Sequence, residues 1–298
     1  MAVIKLKRHF YSLMAMGAGL LCSVYPYPVV SQPLNSVYYP APRSANDKRV
    51  EYPVQLLNLA FSKIGPHYEL RPSHLNITQS RALKLLMAGE TVDVVWTMTT
   101  VEREEQFLPI RIPIYKGLIG WRIFLINPSD QARFARINKL EQLAKFMAGQ
   151  GLDWPDMAIL RFNGLAVEGS STYEALFEML QRRRFEYFPR SVSEIWQELA
   201  VHSDKAFSVE TDLLLNYPTA VYYFVKKDNT ALAADIQKGL ELAIEDGSFE
   251  QLFNKFHQAS IERAQMSTRK LFRLSNPQLP PQTPLEQSHL WFNVDVQW

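Results

Sequence analysis

The chain has 298 residues, 32 Lys and Arg against 30 Asp and Glu, and one cysteine, Cys22. That length allows one large or two modest domains, and a single cysteine excludes intrachain disulfides and Cys-based zinc sites. The six histidines are scattered without metal-ligand spacing, so no metal or other cofactor is expected.

Residues 1–31 read as a secretory leader. Lys5, Lys7, Arg8 and His9 form a basic start, an apolar run covers 10–24, and Val29-x-Ser31 fits a small-residue cleavage pattern with Gln32 as the new N-terminus. The apolar run is short for a membrane span. An uncleaved anchor is one alternative. Lipidation of Cys22 is another, although Leu20 and Leu21 precede it where a lipid-attachment signal needs small residues. Removal of the leader leaves 29 Lys and Arg against 30 Asp and Glu, and no cysteine for thiolate catalysis. This near-neutral balance carries no electrostatic footprint for nucleic acid. The expected location is the periplasm.

Strands and helices then alternate. A weak strand at 37–39 precedes a helix over 52–64, with Val54, Leu57, Phe61 and Ile64 at helical spacing and Gly65-Pro66 as a stop. A short strand at 68–70, a helix at 79–88 ended by Gly89 and a strand at 92–96 complete a β-α-β-α-β run, which predicts a parallel sheet flanked by helices. Residues 118–126 form a long apolar strand closed by Asn127-Pro128, suited to passing from one domain to another. A second run follows. Asn138 caps a helix to 144, and a strand at 146–148 leads into Gly149-Gln150-Gly151. A helix begins near Pro155 and a strand covers 165–167. Capping boxes at Ser171/Glu174 and Ser191/Glu194 open two further helices, with a strand at 185–188 between them. Arg182-Arg183-Arg184 reads as a solvated helix end. Strand-like segments at 206–209 and 220–225 precede a helical stripe, Leu232, Ile236, Leu240 and Ile244. Asp246-Gly247 breaks it, and Ser248 and Gln251 cap a last helix. From 276 the chain is Pro-rich and extended, with Leu290, Trp291, Phe292 and Trp298 apolar enough to dock on the body.

One stretch carries most chemistry: D-V-V-W-T-M-T-T-V-E-R, Asp93 to Arg103. An apolar strand runs into a hydroxyl-rich turn, and Thr99 and Glu102 are spaced as a capping box. Arg103 lies one turn on. Free N–H groups, hydroxyls and a guanidinium at a strand's C-terminal end suit a small carboxylate; an ordinary turn with a solvated arginine has the same spacing.

In segment order, and in T-x-x-R at Thr100 to Arg103, residues 34–258 resemble the bacterial periplasmic solute-binding proteins of family 3, the amino-acid-binding branch. The resemblance implies an α/β fold of two lobes, type II, each a mostly parallel sheet flanked by helices. It implies residues 32–120 in lobe 1, 121–218 in lobe 2, 219–260 back in lobe 1, and 261–298 as a Pro-rich extension packed on the body. It implies that Thr100 and Arg103 hold a ligand carboxylate, with Thr97 adding a donor. It also implies a monomer, a small-molecule ligand, and a membrane permease or membrane sensor protein as partner. Two places depart from the family pattern. Its G-[ST]-[ST] turn is replaced by Gly149-Gln150-Gly151-Leu152-Asp153-Trp154, and Arg190 stands where an acid binds the α-amino group. An organic anion is therefore as open as an amino acid. Gly149 and Gly151 would let backbone approach the ligand. Trp96 and Trp154 read as cleft walls or as core, and Arg190 as a second anion clamp or a solvated helix-start residue.

The chain is expected to bind rather than catalyse, in transport or signalling. The competing readings are a cyclohexadienyl-dehydratase-like enzyme, with Glu168, Glu210 or Asp212 as its acid, and an orphan sensor. No nucleophile elbow, H-E-x-x-H or phosphate loop occurs.

Overall fold

The computed structural model describes Met1 and residues 34–42, 48–65, 67–74 and 77–292. The leader, Cys22, Gln32 and Trp298 lie outside these residues. Leu34–Trp298 forms one unit by contacts, built on a pair of small sheets, of two and three strands, and a seven-stranded second sheet.

The small sheets start with β1 (Asn35–Tyr39). After a 3-10 turn at Lys48–Val50 comes α1 (Glu51–Ile64), then β2 (Tyr68–Pro72), α2 (Gln79–Ala88) and β3 (Val94–Met98). β1 and β2 pair in parallel. Asp93 ties β1 to the start of β3: its N–H donates to the Tyr38 carbonyl, and its carboxylate accepts from Tyr38 N–H, both at 2.8 Å. A short α3 (Val101–Gln106) leads into β4 (Phe107–Ile110), which the sequence reading missed. Pro109 makes that segment a poor central strand, and it sits at an edge.

The chain then crosses to the second sheet. Residues 118–126 are not one strand. Leu118–Gly120 is a 3-10 turn, and β5 is Trp121–Ile126, buried throughout. Two short helices follow, α4 (Gln131–Phe134) and α5 (Leu140–Leu143), then β6 (Met147–Gly151), α6 (Pro155–Phe162), β7 (Ala166–Ser170), α7 (Tyr173–Gln181), β8 (Tyr187–Ser191), α8 (Ile195–Val201), β9 (Ser208–Val209) and β10 (Leu213–Asn216). The chain returns through β11 (Val221–Lys226) to α9 (Thr230–Glu245) and α10 (Ser248–Ala264), and ends with β12 (Lys270–Arg273) and the tail. The second sheet has the order β12-β10-β5-β8-β6-β7, with β9 on β5. β6 pairs in parallel with β7 and β8. In the three-stranded sheet β11 lies between β3 and β4, antiparallel to both. The crossing segments run side by side, with Tyr217 N–H donating to Gly120 O at 3.2 Å.

Capping differs from the expected boxes. Thr100, not Thr99, caps α3, its hydroxyl accepting from Arg103 N–H at 3.1 Å, while Thr99 donates to Glu104. α7 starts after Thr172 without a side-chain cap, because the Ser170 hydroxyl takes the Thr172 N–H. α10 starts after Gly247, and Ser248 bonds to Asp246 instead. Asn138 is one residue early: Lys139 is the cap of α5, and the Gln142 side chain reaches back to both N–H groups. Arg182, Arg183 and Arg184 are exposed at the end of α7, as expected, and Arg183 also pairs with buried Asp130 at 2.8 Å.

α1, α9 and α10 pack together over the small sheets, with aromatics between them. His257 lies in that cluster, its ring centroid 4.5 Å from Tyr52 and 5.0 Å from Phe253. Neither nitrogen has a partner among the described residues, and burial pulls its pKa from 6.5 to about 4. The unfolded chain then binds the extra proton first. The stability present above pH 6.5 should fall as pH drops toward 4, by roughly 2 kcal/mol between pH 7.5 and 5. Urea unfolding at the two pH values measures this. The loss should shrink in His257→Phe; an equal loss in that variant would assign the acid sensitivity elsewhere.

Candidate functional site

The small sheets and the second sheet leave a cleft with a cavity volume of about 230 Å³. Lobe 1 contributes Gln79, Trp96, Thr97 and Tyr115; lobe 2 contributes Arg122, Trp154, Asp156, Arg190 and Glu194. A second recess of about 350 Å³ is lined by Thr100, Arg103, Asp153, Trp154, Arg161 and Gln278. Trp154 and Pro155 line both and form the shared wall.

Arg103 is positioned by β3 and α3 together. Its Nη1 donates to Thr97 Oγ1 at 2.8 Å and to the Met98 carbonyl at 2.6 Å. Its Nη2 donates to Gln79 Oε1 at 2.9 Å and, across the lobes, to the Asp153 carbonyl at 3.3 Å. All four acceptors are neutral, and among the described residues no carboxylate forms an ion pair with it. Burial, only partly offset by the more distant Asp153, Asp156 and Glu102, lowers its pKa to about 10. Arg103 is half-buried, and a partly desolvated cation without a counter-ion, lining a recess, suits an anion.

The lobe-2 wall is a different construction. Arg190 is 2% exposed and grips Glu198 with two bonds, Nε to Oε2 at 2.7 Å and Nη2 to Oε1 at 2.6 Å, with Glu194 at 3.0 Å. Its guanidinium lies over the Trp154 and Phe188 rings, at 4.8 and 4.9 Å. Burial works against its charge, but Glu194 and Glu198 outweigh that and raise its pKa well above the ordinary value. It is thus a buried, paired cation, not a solvated helix-start residue. Arg122 pairs with Asp156 at 2.5 Å and reaches Glu194 at 3.5 Å. Burial opposes the ionised form of Glu194, and Arg190, Arg122 and Arg49 overcome it, so its pKa lies below normal. Tyr173 donates to Glu198 at 2.8 Å, and Tyr217 to Asp156.

The predicted residues therefore divide. Trp96, Thr97, Trp154 and Arg190 meet in the cleft, and Thr100 and Arg103 line the adjoining recess. Gly149, Gln150 and Gly151 line neither. They are strand residues of β6, not an open turn, and all three are buried. A Cβ on Gly149 would lie 2.2 Å from the Phe185 ring, and one on Gly151 2.6 Å from the Trp154 ring. These glycines make room for aromatic packing. Gln150 Nε2 donates to the Pro189 carbonyl at 3.4 Å. Sequence reasoning missed Arg122, Asp156 and Glu194, and also Tyr115 and Glu198. A lone charge in the apolar run W-R-I-F-L-I was the visible signal for Arg122. Glu194 was seen only as a helix cap; its carboxylate does accept from Ser191 N–H at 3.3 Å.

No protein-family model matches the chain. No curated protein matches it. Solved structures do. A Salmonella typhimurium periplasmic binding protein of high arginine specificity superposes with a TM-score of 0.56 at 17% identity, covering 74% of this chain and 99% of that one. A histidine kinase sensor domain similar to periplasmic binding proteins gives 0.56 at 16%, covering 75% and 95%. An ancestral amino-acid-binding protein, a precursor of cyclohexadienyl dehydratase, gives 0.54 at 14%, covering 74% and 94%. The chain thus has the two-lobed α/β fold of type II periplasmic binding proteins. Among the described residues no helix is long and apolar enough to cross a membrane.

Proposed function

We propose that the protein is a periplasmic solute-binding protein that captures a small carboxylate-bearing ligand between its lobes, for transport through a membrane permease or for signalling. The observation that carries this reading is Arg103, a half-buried guanidinium without a counter-ion at the junction of the lobes. A carboxylate supplies the missing charge, and takes Nη2 in exchange for two neutral acceptors. Trp96, Tyr115 and Trp154 give the cleft apolar walls. Contacts to both lobes favour the closed arrangement by the ligand's differential affinity for it.

The test is a thermal-shift screen of the purified protein against amino acids, dicarboxylates, peptides and sugars. A ligand at a hundredfold excess over its dissociation constant stabilises the native state by about 2.7 kcal/mol. A carboxylate-bearing hit is expected, and it should also make the particle more compact in small-angle scattering. Hits confined to neutral sugars would refute the carboxylate reading, and a scattering profile unchanged by a saturating hit would refute closure.

A further inference from the structure

The C-terminal tail is attached to both lobes, and the two attachments are very close along the chain. β12 extends the second sheet, parallel to β10. Immediately after it, Ser275 is clasped by the Asn163 side chain at the end of α6: Asn163 Nδ2 donates to Ser275 O at 2.8 Å, and Ser275 N–H donates to Asn163 Oδ1 at 3.0 Å. Three residues on, the Gln278 carbonyl accepts the Val101 N–H at 3.1 Å. Val101 is the first residue of α3, the helix that carries Arg103. Between these points Asn276 donates to the Pro218 carbonyl in the returning crossover, at 3.0 Å.

The far end of the tail is held as well. Trp291 is 4% exposed, its ring sits where a Cβ on Gly117 would be, 2.6 Å away, and its Nε1 donates to the Pro284 carbonyl at 2.8 Å. Phe292 N–H donates to the Lys116 carbonyl at 2.7 Å. Gly117 has φ +72 and so meets both a backbone and a space requirement.

We infer that residues 275–278 are a strap that limits how far the cleft opens. Three residues span at most about 11 Å when fully extended. The Asn163 clasp on lobe 2 and the Val101 bond on lobe 1 therefore cannot separate beyond that while both hold. They lie on opposite sides of the recess that contains Arg103, so lobe opening there pulls directly on the strap. Wide opening requires one attachment to break; the strap keeps the empty protein near the closed arrangement and lowers the ordering cost of capture. This inference concerns the empty protein and does not depend on the ligand class.

The experiment measures the interlobe distance without ligand. Spin labels go on Lys84→Cys in α2 and Glu174→Cys in α7, both exposed, in a Cys22→Ser background. Val101→Pro deletes the strap's donor with little harm to α3, because proline suits the first helical position and Thr100, at φ −145 and ψ 159, already has the backbone a pre-proline residue needs. Asn163→Ala removes the clasp on the other lobe, where β12 and the Leu274 N–H bond to the Asn216 carbonyl still hold the tail. The parent should give one narrow distance distribution, Val101→Pro a broader one with a longer mean, and Asn163→Ala a smaller change in the same direction, at a melting temperature that shows the fold intact. A Val101→Pro distribution superimposable on the parent's would overturn the strap, as would a parent distribution already as broad as that variant's.

Discussion

Arg103→Ala should abolish the thermal stabilisation produced by any carboxylate hit while leaving the empty protein folded. The guanidinium makes four hydrogen bonds, but all go to neutral acceptors, and burial already disfavours its charge. Removing it deletes those bonds and also relieves an unpaired, half-buried cation, so the cost to the empty protein should stay within about 1–3 kcal/mol. Bound ligand has no such compensation. A bidentate charge-assisted pair is worth roughly 1.5–3 kcal/mol, and its loss leaves the ligand's carboxylate desolvated without a partner. Arg103→Lys separates charge from geometry. A lysine cannot reproduce the planar fork that spans Thr97, Met98 and Gln79, so it should retain only part of the stabilisation. Full stabilisation in Arg103→Ala would move the ligand out of the recess and into the main cleft, beside Arg122 and Arg190, and would end the proposed role of Arg103.

The parts of this site that the sequence revealed are those written in local spacing. T-x-x-R places a cap and an arginine one turn apart, and that relation is contained in four consecutive residues. The stripe Leu232, Ile236, Leu240 is likewise a property of one helix; Ile236 and Leu240 are fully buried, and Leu232 nearly so. What escaped was pairing across distance. Arg190 and Glu198 are eight residues apart on two elements, and nothing between them says that the arginine turns inward. Gly149-Gln150-Gly151 misled because glycines signal a turn locally, whereas here their missing side chains accommodate Phe185 and Trp154, supplied by other segments. β12 was unreadable for the same reason: four residues without a strong alternating pattern become a strand only because β10 offers a free edge. The one-residue errors in the caps have a further cause. Adjacent hydroxyls such as Thr99 and Thr100 compete, and Thr99 is drawn away by Glu104.

Arg122→Ala is expected to be the most destabilising single change in the lobe-2 wall, by about 3–5 kcal/mol. The side chain is 3% exposed and holds Asp156, itself 5% exposed, at 2.5 Å, with the Tyr217 ring 5.7 Å from its guanidinium. Burial opposes its charge, yet Asp156, Tyr217 and Glu194 raise its pKa, so the guanidinium keeps its charge and depends on these partners. Alanine leaves Asp156 buried with only the Tyr217 hydroxyl, and for a chain of this size the melting temperature should fall by roughly 10 °C. The double variant Arg122→Met, Asp156→Leu removes both charges and keeps most of the volume. Its loss should be clearly smaller than that of Arg122→Ala, because no charge is then left stranded. The comparison also bears on function. Arg122 helps hold Glu194 at the cleft surface, so the neutral double variant should be stable but altered in ligand affinity. If the single and double variants lose equal stability, packing of the arginine stem rather than the ion pair holds this wall, and Glu194 takes its position from Arg190 alone.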